Sequence, residues 1–284
     1  MQSEEIEMKV KIKKANGQIE DFDKRKLLNS LIRAGAAAGQ AEIVVKEIVR
    51  QITPHMSTRK IYRLAHRYLK KYNRASVLRY SLKEALLRLG PSGYPFEKFV
   101  GELLKSNGYE VQVGLILQGK CVSHEVDVFA ENKKEILLVE CKYSNSAEGS
   151  HDVKTALYIH ARHQDLIAAI GKKYPKKEIN GWLVTNTRFT EDAVQFAECS
   201  GMHIVSWRYP KKNSLEKMIE KGRLYPVTVL TVLNSKQIHT LIEHDIFLMR
   251  DLIKQDTSFI SKLLSMTDRK ASELRHQAEE LCEC

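Results

Sequence analysis

Asp127, Glu140 and Lys142 are the residues of this chain whose types and spacing could do chemistry. They lie in the stretch VSHEVDVFAENKKEILLVECKY, residues 122–143. Side chains alternate across a strand. On a first strand Val122, Val126, Val128 and Ala130 are therefore expected on one face, with Ser123, Glu125, Asp127 and Phe129 on the other. On a second strand Ile136, Leu138, Glu140 and Lys142 share a face opposite Leu137, Val139, Cys141 and Tyr143. The polar segment Glu131 to Lys134 reads as the turn between them. A turn centred there sets Glu125 opposite Glu140 and Asp127 opposite Leu138. Asp127 is then diagonal to Glu140, at roughly 7–8 Å. Two carboxylates so placed could share a metal ion. A hard cation such as Mg²⁺ takes a few carboxylate oxygens and keeps several waters. It activates water and offsets the charge of a phosphodiester transition state, while a lysine positions or deprotonates the nucleophile. The competing reading is a solvated sheet edge with an ordinary Glu–Lys ion pair.

The elements around this hairpin must hold it in place. Phe96, Phe99, Val100, Leu103 and Leu104 recur at helical spacing, and Asn107-Gly108 ends that helix. Glu97 lies at the margin of its apolar stripe. Residues 109–117 predict a strand before the hairpin. After it, residues 151–170 predict a long basic helix with Val153, Ala156, Leu157 and Ala161 on one side. Its His160 and His163 are expected to face solvent or a phosphate backbone. Residues 182–186 (WLVTN) predict a strand, Thr190 caps a helix with early acids, and residues 202–207 predict a last strand. The Asp127…Glu140-Cys141-Lys142 arrangement, with ILLV leading into the glutamate, resembles the PD-(D/E)xK nuclease superfamily in its Mrr-like, Holliday-junction-resolvase-like branch. WLVTNTRFTEDAVQFAECSGMHIVSW resembles the strand, helix, strand ending of Mrr-like members. The superfamily usually has proline before the aspartate, where Val126 stands here. The resemblance implies an α/β restriction-endonuclease-like core with a mixed sheet, in the order α-β-β-β-α-β-α-β over residues 93–207. It also implies metal-dependent DNA hydrolysis. Asp127 and Glu140 would bind Mg²⁺ or Mn²⁺ with the Cys141 carbonyl, Lys142 would orient water, and Glu97 would add a metal contact.

Ahead of this core, residues 6–22 read as a hairpin with alternating Ile6, Met8, Val10 and Ile12 and an Asn16-Gly17 turn. Asp23 stands at a helix N-cap before Leu27, Leu28, Leu31 and Ile32. Further helices are expected over 40–52, after Ser57, and over 74–89, where Gly90-Pro91 stops the last. VKIKKANGQIEDFDKRKLLNSLIRAG resembles the opening of the ATP-cone, the nucleotide-sensing domain of ribonucleotide reductases and their repressor, and RASVLRYSLKEAL resembles its closing segment. The resemblance covers about residues 8–90. It implies an α+β module that binds ATP or dATP through Lys13, Lys14, Glu20 and Lys26, although the turn is one residue longer than the family's. Lysines act as point charges for phosphates. No P-loop occurs, so an ATPase motor is not expected.

Residues 208–226 are basic and punctuated by Pro210, Gly222 and Pro226, and read as a linker. Beyond it, helices are expected after Ser235 and over 245–254, 257–264 and 268–281. These resemble helix-hairpin-helix or SAM-like folds, except that His244-Asp245 stands where a glycine is usual. Packing and DNA contact are both open for this small all-α domain. The expected organisation is thus 1–91 ATP-cone, 92–226 nuclease and 227–284 helical domain. A net charge of +11 and a pI near 9.3 favour a polyanionic partner, and DNA is the natural one. No apolar run approaches the ~20 residues of a membrane span, and the acidic N-terminus lacks a signal peptide's apolar region. Five scattered cysteines indicate neither a disulfide framework nor a zinc ribbon. A reducing cytoplasm and assembly through the first or second domain are expected. The rival functions are a nucleotide-responsive DNA-binding regulator with an inactive nuclease fold, and a plain scaffold. The presence of both Asp127 and Lys142 argues against them.

Overall fold

A computed structural model of the 284-residue chain describes residues 10–14, 17–34, 36–72, 77, 80–90 and 92–283. It divides into two compact units, one ending at Leu82 and the other running from Lys83 to Glu283.

In the first unit, strands β1 (Lys11–Lys13) and β2 (Ile19–Asp21) pair antiparallel with Ile12 opposite Glu20. Gly17 adopts φ +85°, as the tight turn requires. Ile6, Met8 and Asn16 of the expected hairpin lie outside the described residues. Asp23 caps helix α1 (Lys24–Arg33) by accepting the Arg25 and Lys26 amides. Helices α2 (Ala38–Val49) and α3 (Thr58–Leu69) follow, and Ser57 caps α3 through the Lys60 amide. Between them is a strand with no sequence signal, β3 (Met56–Ser57), parallel to β1. Two residues are too few to show alternation. The outcome is a mixed sheet in the order β2-β1-β3, with Ile12 and Met56 packed on Leu27, Leu31, Ile48, Leu64 and Leu69. The helix expected over 74–89 is described only in part: α4 covers Leu82–Leu86, and residues 73–76, 78 and 79 lie outside the described set.

The second unit is built on a mixed sheet that has five strands among the described residues. Their order is β10 (His203–Val205), β8 (Glu178–Thr185), β6 (Glu135–Lys142), β5 (Ser123–Glu131), β4 (Glu110–Gln118). β4, β5 and β6 run antiparallel, while β6, β8 and β10 run parallel. Central strand β6 is covered on both faces, which is why it reads as a continuous apolar run. Helix α5 (Tyr94–Ser106) lies on one face. It approaches closely because Gly101 has no Cβ: one would stand 3.2 Å from Val111 and 3.3 Å from Val113. Helix α6 (Val153–Lys173) covers the other, with Leu166 and Ile170 packed on Val126, Phe129, Ile136 and Leu138. Helix α7 (Glu191–Ser200), capped by Thr190, packs beside α6. A two-residue parallel pair, β7 (Ser150–His151) with β9 (Arg188–Phe189), lies outside the main sheet.

Three expectations about this unit are corrected. The buried stripe of α6 is Ala156, Ile159, His163, Leu166 and Ile170, whereas Leu157 and Ala161 are exposed. His163 is buried against Gly181 of β8, where a Cβ would stand 2.4 Å from its Nδ1. Burial above all, and then the nearby Arg162, pushes its imidazole down to about 4, so it is neutral. His160 packs edge-on against Phe196. The supposed linker contains helix α8 (Leu215–Gly222), which buries Leu215 and Ile219. A single i, i+4 apolar pair among lysines and helix breakers gives too little periodicity to detect.

A 3₁₀ turn (Val227–Val229) leads into the C-terminal helices α9 (Ser235–Glu243), α10 (Met249–Ile253), α11 (Thr257–Leu263) and α12 (Asp268–Glu283). Asn234, not Ser235, caps α9, in a reciprocal pair with Gln237. The turns after α9 and α11 share one geometry. Asp245 (φ +56°) and Ser265 (φ +51°) are left-handed, and the next amide closes on a carbonyl five residues back, Ile246 to Leu241 at 2.9 Å and Met266 to Ser261 at 3.0 Å. Asp245 thus occupies a glycine-type position. It bonds Lys98 of α5 at 2.6 Å, and Arg250 bonds Glu102, so this hairpin is used for packing.

The Gly181–His163 contact gives a direct prediction. Gly181→Ala forces α6 off the sheet and should cost about 1–3 kcal/mol, measured by urea unfolding. An unchanged midpoint would mean that His163 can rotate away.

Candidate active site

The hairpin register differs from the expected one, and the difference favours the site. Asn132 accepts the Lys134 and Glu135 amides on its Oδ1, and its own amide bonds the Glu135 carbonyl at 3.0 Å. This Asx turn moves the reversal one residue along the chain. Phe129 therefore pairs with Leu138 and Val128 with Val139. Asp127 is advanced to the end of β6, where its Oδ2 accepts the Cys141 amide at 2.7 Å.

Alternation also slips at this point. Val128 packs towards Gly101 of α5, yet Val126 joins Phe129 in the cluster under α6. The β4–β5 ladder skips Gly114 and Asp127, and Gly114 is left-handed at φ +68° with open space where a Cβ would be. A glycine bend in a strand interior is a way to re-aim a neighbouring side chain. Here it frees the Asp127 carboxylate to turn to β6.

Glu140 is only 6% exposed, and a buried carboxylate needs partners. Lys142 Nζ donates to Oε1 at 2.7 Å and Arg162 of α6 to Oε2 at 2.9 Å. The second Arg162 nitrogen donates to the Glu125 carbonyl, tying β5 and β6 to α6. Arg162 is the residue that the sequence alone does not single out. It hides in a basic helix, and only the i, i+4 relation to an exposed tyrosine at 158 marks its face. Tyr143 donates to the Leu87 carbonyl at 2.8 Å, and Asn186 bonds both backbone groups of Ser144, fixing the chain where it leaves β6. Burial, and then the Lys142 charge, lower the imidazole pKa of nearby His151.

Glu97, in the first turn of α5, is close enough to feel this cluster. Burial, followed by the charges of Asp127, Glu125 and Glu140, raises its carboxyl to about 7. Burial and then Glu140 raise Asp127 to about 6, against the pull of the Cys141 amide and Lys142. The structure thus brings together Glu97, Asp127, Glu140, Lys142 and the Cys141 backbone. Among the described residues no three His, Cys, Asp or Glu side chains form a ready-made metal cage. Magnesium sites commonly use one or two carboxylates with water and substrate phosphate, so the donor set present suffices. Uncompensated negative charge at Asp127 and Glu97 is what such a cation would relieve. In the first unit, Lys14 and Glu20 form an ion pair at 2.8 Å, while Lys13 and Lys26 are exposed.

The raised carboxyls predict how the metal-free protein responds to pH. Their folded values exceed the unfolded ones of about 4, so they favour folding below pH about 4 and lose that contribution as pH rises through about 6 and 7. Asp127→Asn keeps an acceptor for Cys141 and removes a charge. In chelator it should melt higher than the parent at pH 8 and lose the difference at pH 4. Melting curves at both pH values check this; a lower melting point at pH 8 would contradict it.

Comparison with known proteins agrees with this geometry. Residues 90–208 match the restriction endonuclease family and residues 225–282 the family described as AF1548-like, C-terminal. An uncharacterized protein of Archaeoglobus fulgidus is 30% identical over 182 residues, which is 64% of this chain and 99% of that protein. The crystal structure of a protein of unknown function, AF1548, superposes with a TM-score of 0.55 at 29% identity, covering 68% of this chain and 99% of that one. Among the described residues no helix is long and apolar enough to cross a membrane. With a restriction-endonuclease domain followed by the AF1548-like C-terminal domain, this chain belongs to the family of that Archaeoglobus protein.

Proposed function

We propose that the protein is a divalent-metal-dependent DNA endonuclease, and that its activity is tuned by ATP or dATP bound to an N-terminal ATP-cone. The convergence of Glu97, Asp127, Glu140 and Lys142 at the end of β6 carries the nuclease reading. Asp127 and Glu140 would hold Mg²⁺ or Mn²⁺ with the Cys141 carbonyl, and Glu97 would support them. When bound, the cation supplies an activated water and stabilises charge on the phosphate. Lys142, as an ammonium donating to Glu140, has no lone pair with which to take a proton. Its part is to hold Glu140 and to stabilise charge on the phosphodiester, with water oriented at its Nζ. Arg162 fixes Glu140 from the other side. The site's cationic groups, set in a chain of net charge +11, draw the DNA backbone in.

In this reading residues 1–91 sense nucleotide, 92–226 cut, and 227–284 brace the nuclease, with pairing of chains through either of the first two. Exposed Lys13 on the mixed sheet and exposed Lys26 on α1, with the Lys14–Glu20 pair, supply the charge that a triphosphate needs.

A nuclease assay on plasmid and oligonucleotide DNA tests the chemistry. Cutting is expected with Mg²⁺ or Mn²⁺ and none in chelator. Asp127→Ala, Glu140→Ala and Lys142→Ala should each lower the rate by about 10²-fold or more, with DNA binding retained. Cutting that survives Asp127→Ala would sink the proposal, and silence with every metal would favour an inactive, DNA-binding regulator.

Calorimetry of the full chain with ATP and dATP tests the sensor. Binding without hydrolysis should stabilise the protein by about 2.7 kcal/mol at a hundredfold excess over Kd, and Lys13→Ala or Lys26→Ala should shrink that gain. No heat and no melting shift at millimolar nucleotide would reduce the module to a structural cap.

A further inference from the structure

The first turns of α6 present an apolar edge to solvent right beside the candidate site. Lys154, Leu157, Tyr158 and Ala161 face outward, and the two large side chains are strongly exposed, Leu157 by 48% and Tyr158 by 63%. A scattered exposed tyrosine would need no explanation. Tyr158 is different because of what stands against it. The Arg162 guanidinium lies 5.6 Å from its ring centroid, and the same guanidinium holds Glu140 at 2.9 Å and the Glu125 carbonyl. One side chain therefore links the exposed ring to the buried carboxylate. Three anchors fix Arg162: the Glu140 oxygen, a β5 carbonyl and the ring itself. Its pose, and with it the place of the ring, is set before substrate arrives.

We infer that Tyr158, braced by Arg162, is a stacking ledge for an unpaired base of the DNA strand whose phosphodiester lies at Glu140. This rests on the nuclease reading of that site and names its substrate class. Three properties of the edge favour this occupant. The ring offers a flat apolar face, which a base can cover only when it is out of a duplex, because paired bases show protein only their edges in the grooves. The flanking charges are cationic, with Lys154 exposed on the same edge and Lys142 and Arg162 on the site side, as a backbone-tracking groove requires. The edge is also continuous with the catalytic carboxylate through Arg162, so a strand seated on it passes the site. The substrate is then a strand single at or next to the cut: a flap, a branch point or a free end, in preference to uninterrupted duplex.

The test is equilibrium binding of labelled oligonucleotides in EDTA, at one salt concentration, to the full chain and to Tyr158→Ala and Tyr158→Phe. Three DNAs are compared: single-stranded, flapped and fully paired. Stacking contributes enough per base that Tyr158→Ala should weaken single-stranded and flap binding by about tenfold to a hundredfold. It should leave duplex binding within about twofold, and Tyr158→Phe, which keeps the ring, should bind as the parent does. Equal losses on duplex and single strand, or no loss on single strand, would overturn the ledge. A loss in Tyr158→Phe as large as in Tyr158→Ala would make the hydroxyl, not the ring, the contact, and would overturn it too. Because no metal is present, the outcome does not depend on cutting. A chain that binds unpaired DNA through Tyr158 and never cuts would remove the nuclease proposal and leave the ledge. One that binds and cuts flapped DNA with Tyr158→Ala as well as the parent does would do the reverse.

Discussion

Mutual repulsion among carboxylates is the constraint that the packing of the second unit has to hold in check. Glu97, Asp127 and Glu140 come from a helix and two strands and lie within reach of one another's charge, partly out of water. Fixed positive charge meets only one of them in full: Glu140 has both Lys142 and Arg162. Asp127 has a backbone amide and Glu97 has none of these bonds, so both keep their protons to higher pH. Folding tolerates this because the surrounding elements over-determine the position of each acid. β6 is buried on both faces, α5 is seated at Gly101, and the Asx turn at Asn132 locks the hairpin register. Local destabilisation held by a rigid frame is the expected form of a site built to bind something the free protein lacks.

The third acid arrives by way of the C-terminal domain. α5 bears Glu97 on one side and Lys98 and Glu102 on the other. Asp245 and Arg250, from the first C-terminal hairpin, clamp those two. The segment before α5 is tied into the same domain: Arg88 donates to the Thr228 and Leu233 carbonyls, and the Thr228 hydroxyl to the Ala85 carbonyl. A left-handed aspartate at the hairpin pivot costs strain that glycine would not, but only a side chain can reach Lys98. The departure from glycine at His244-Asp245 thus has a physical use: it trades an open hairpin for a strut against the helix that carries a site residue.

Much of this was legible in the sequence because it depends on local pattern. The strand over 109–117, the apolar run of β6 and the Asp23, Ser57 and Thr190 caps are all short-range signals, and these elements formed where their patterns lay. What could not be read depends on long-range contact or on a single residue of turn chemistry. Asn132 decides a register that polar composition alone places one residue earlier. Gly114 breaks the alternation of a partner strand, so Val126 faces α6 when parity assigns it to the side of Val128. His163 looks like a surface histidine until Gly181, eighteen positions away on another element, is seen to make room for it.

Arg162 shows the same limit at the site itself. In sequence it is one cation among several on a basic helix, and its spacing to Glu140 carries no motif. In three dimensions it is the only described residue that bonds Glu140, reaches the β5 backbone and lies over an exposed ring. A lysine could supply the charge but not that geometry, because a guanidinium presents separate nitrogens to the two acceptors in a fixed fork. The two cations of the site are therefore not equivalent. Lys142 has 34% of its side chain exposed, while Arg162, at 18%, is committed to the scaffold. That division would keep Glu140 anchored on one side while its other oxygen changed partners, as the metal-binding role proposed for this carboxylate requires.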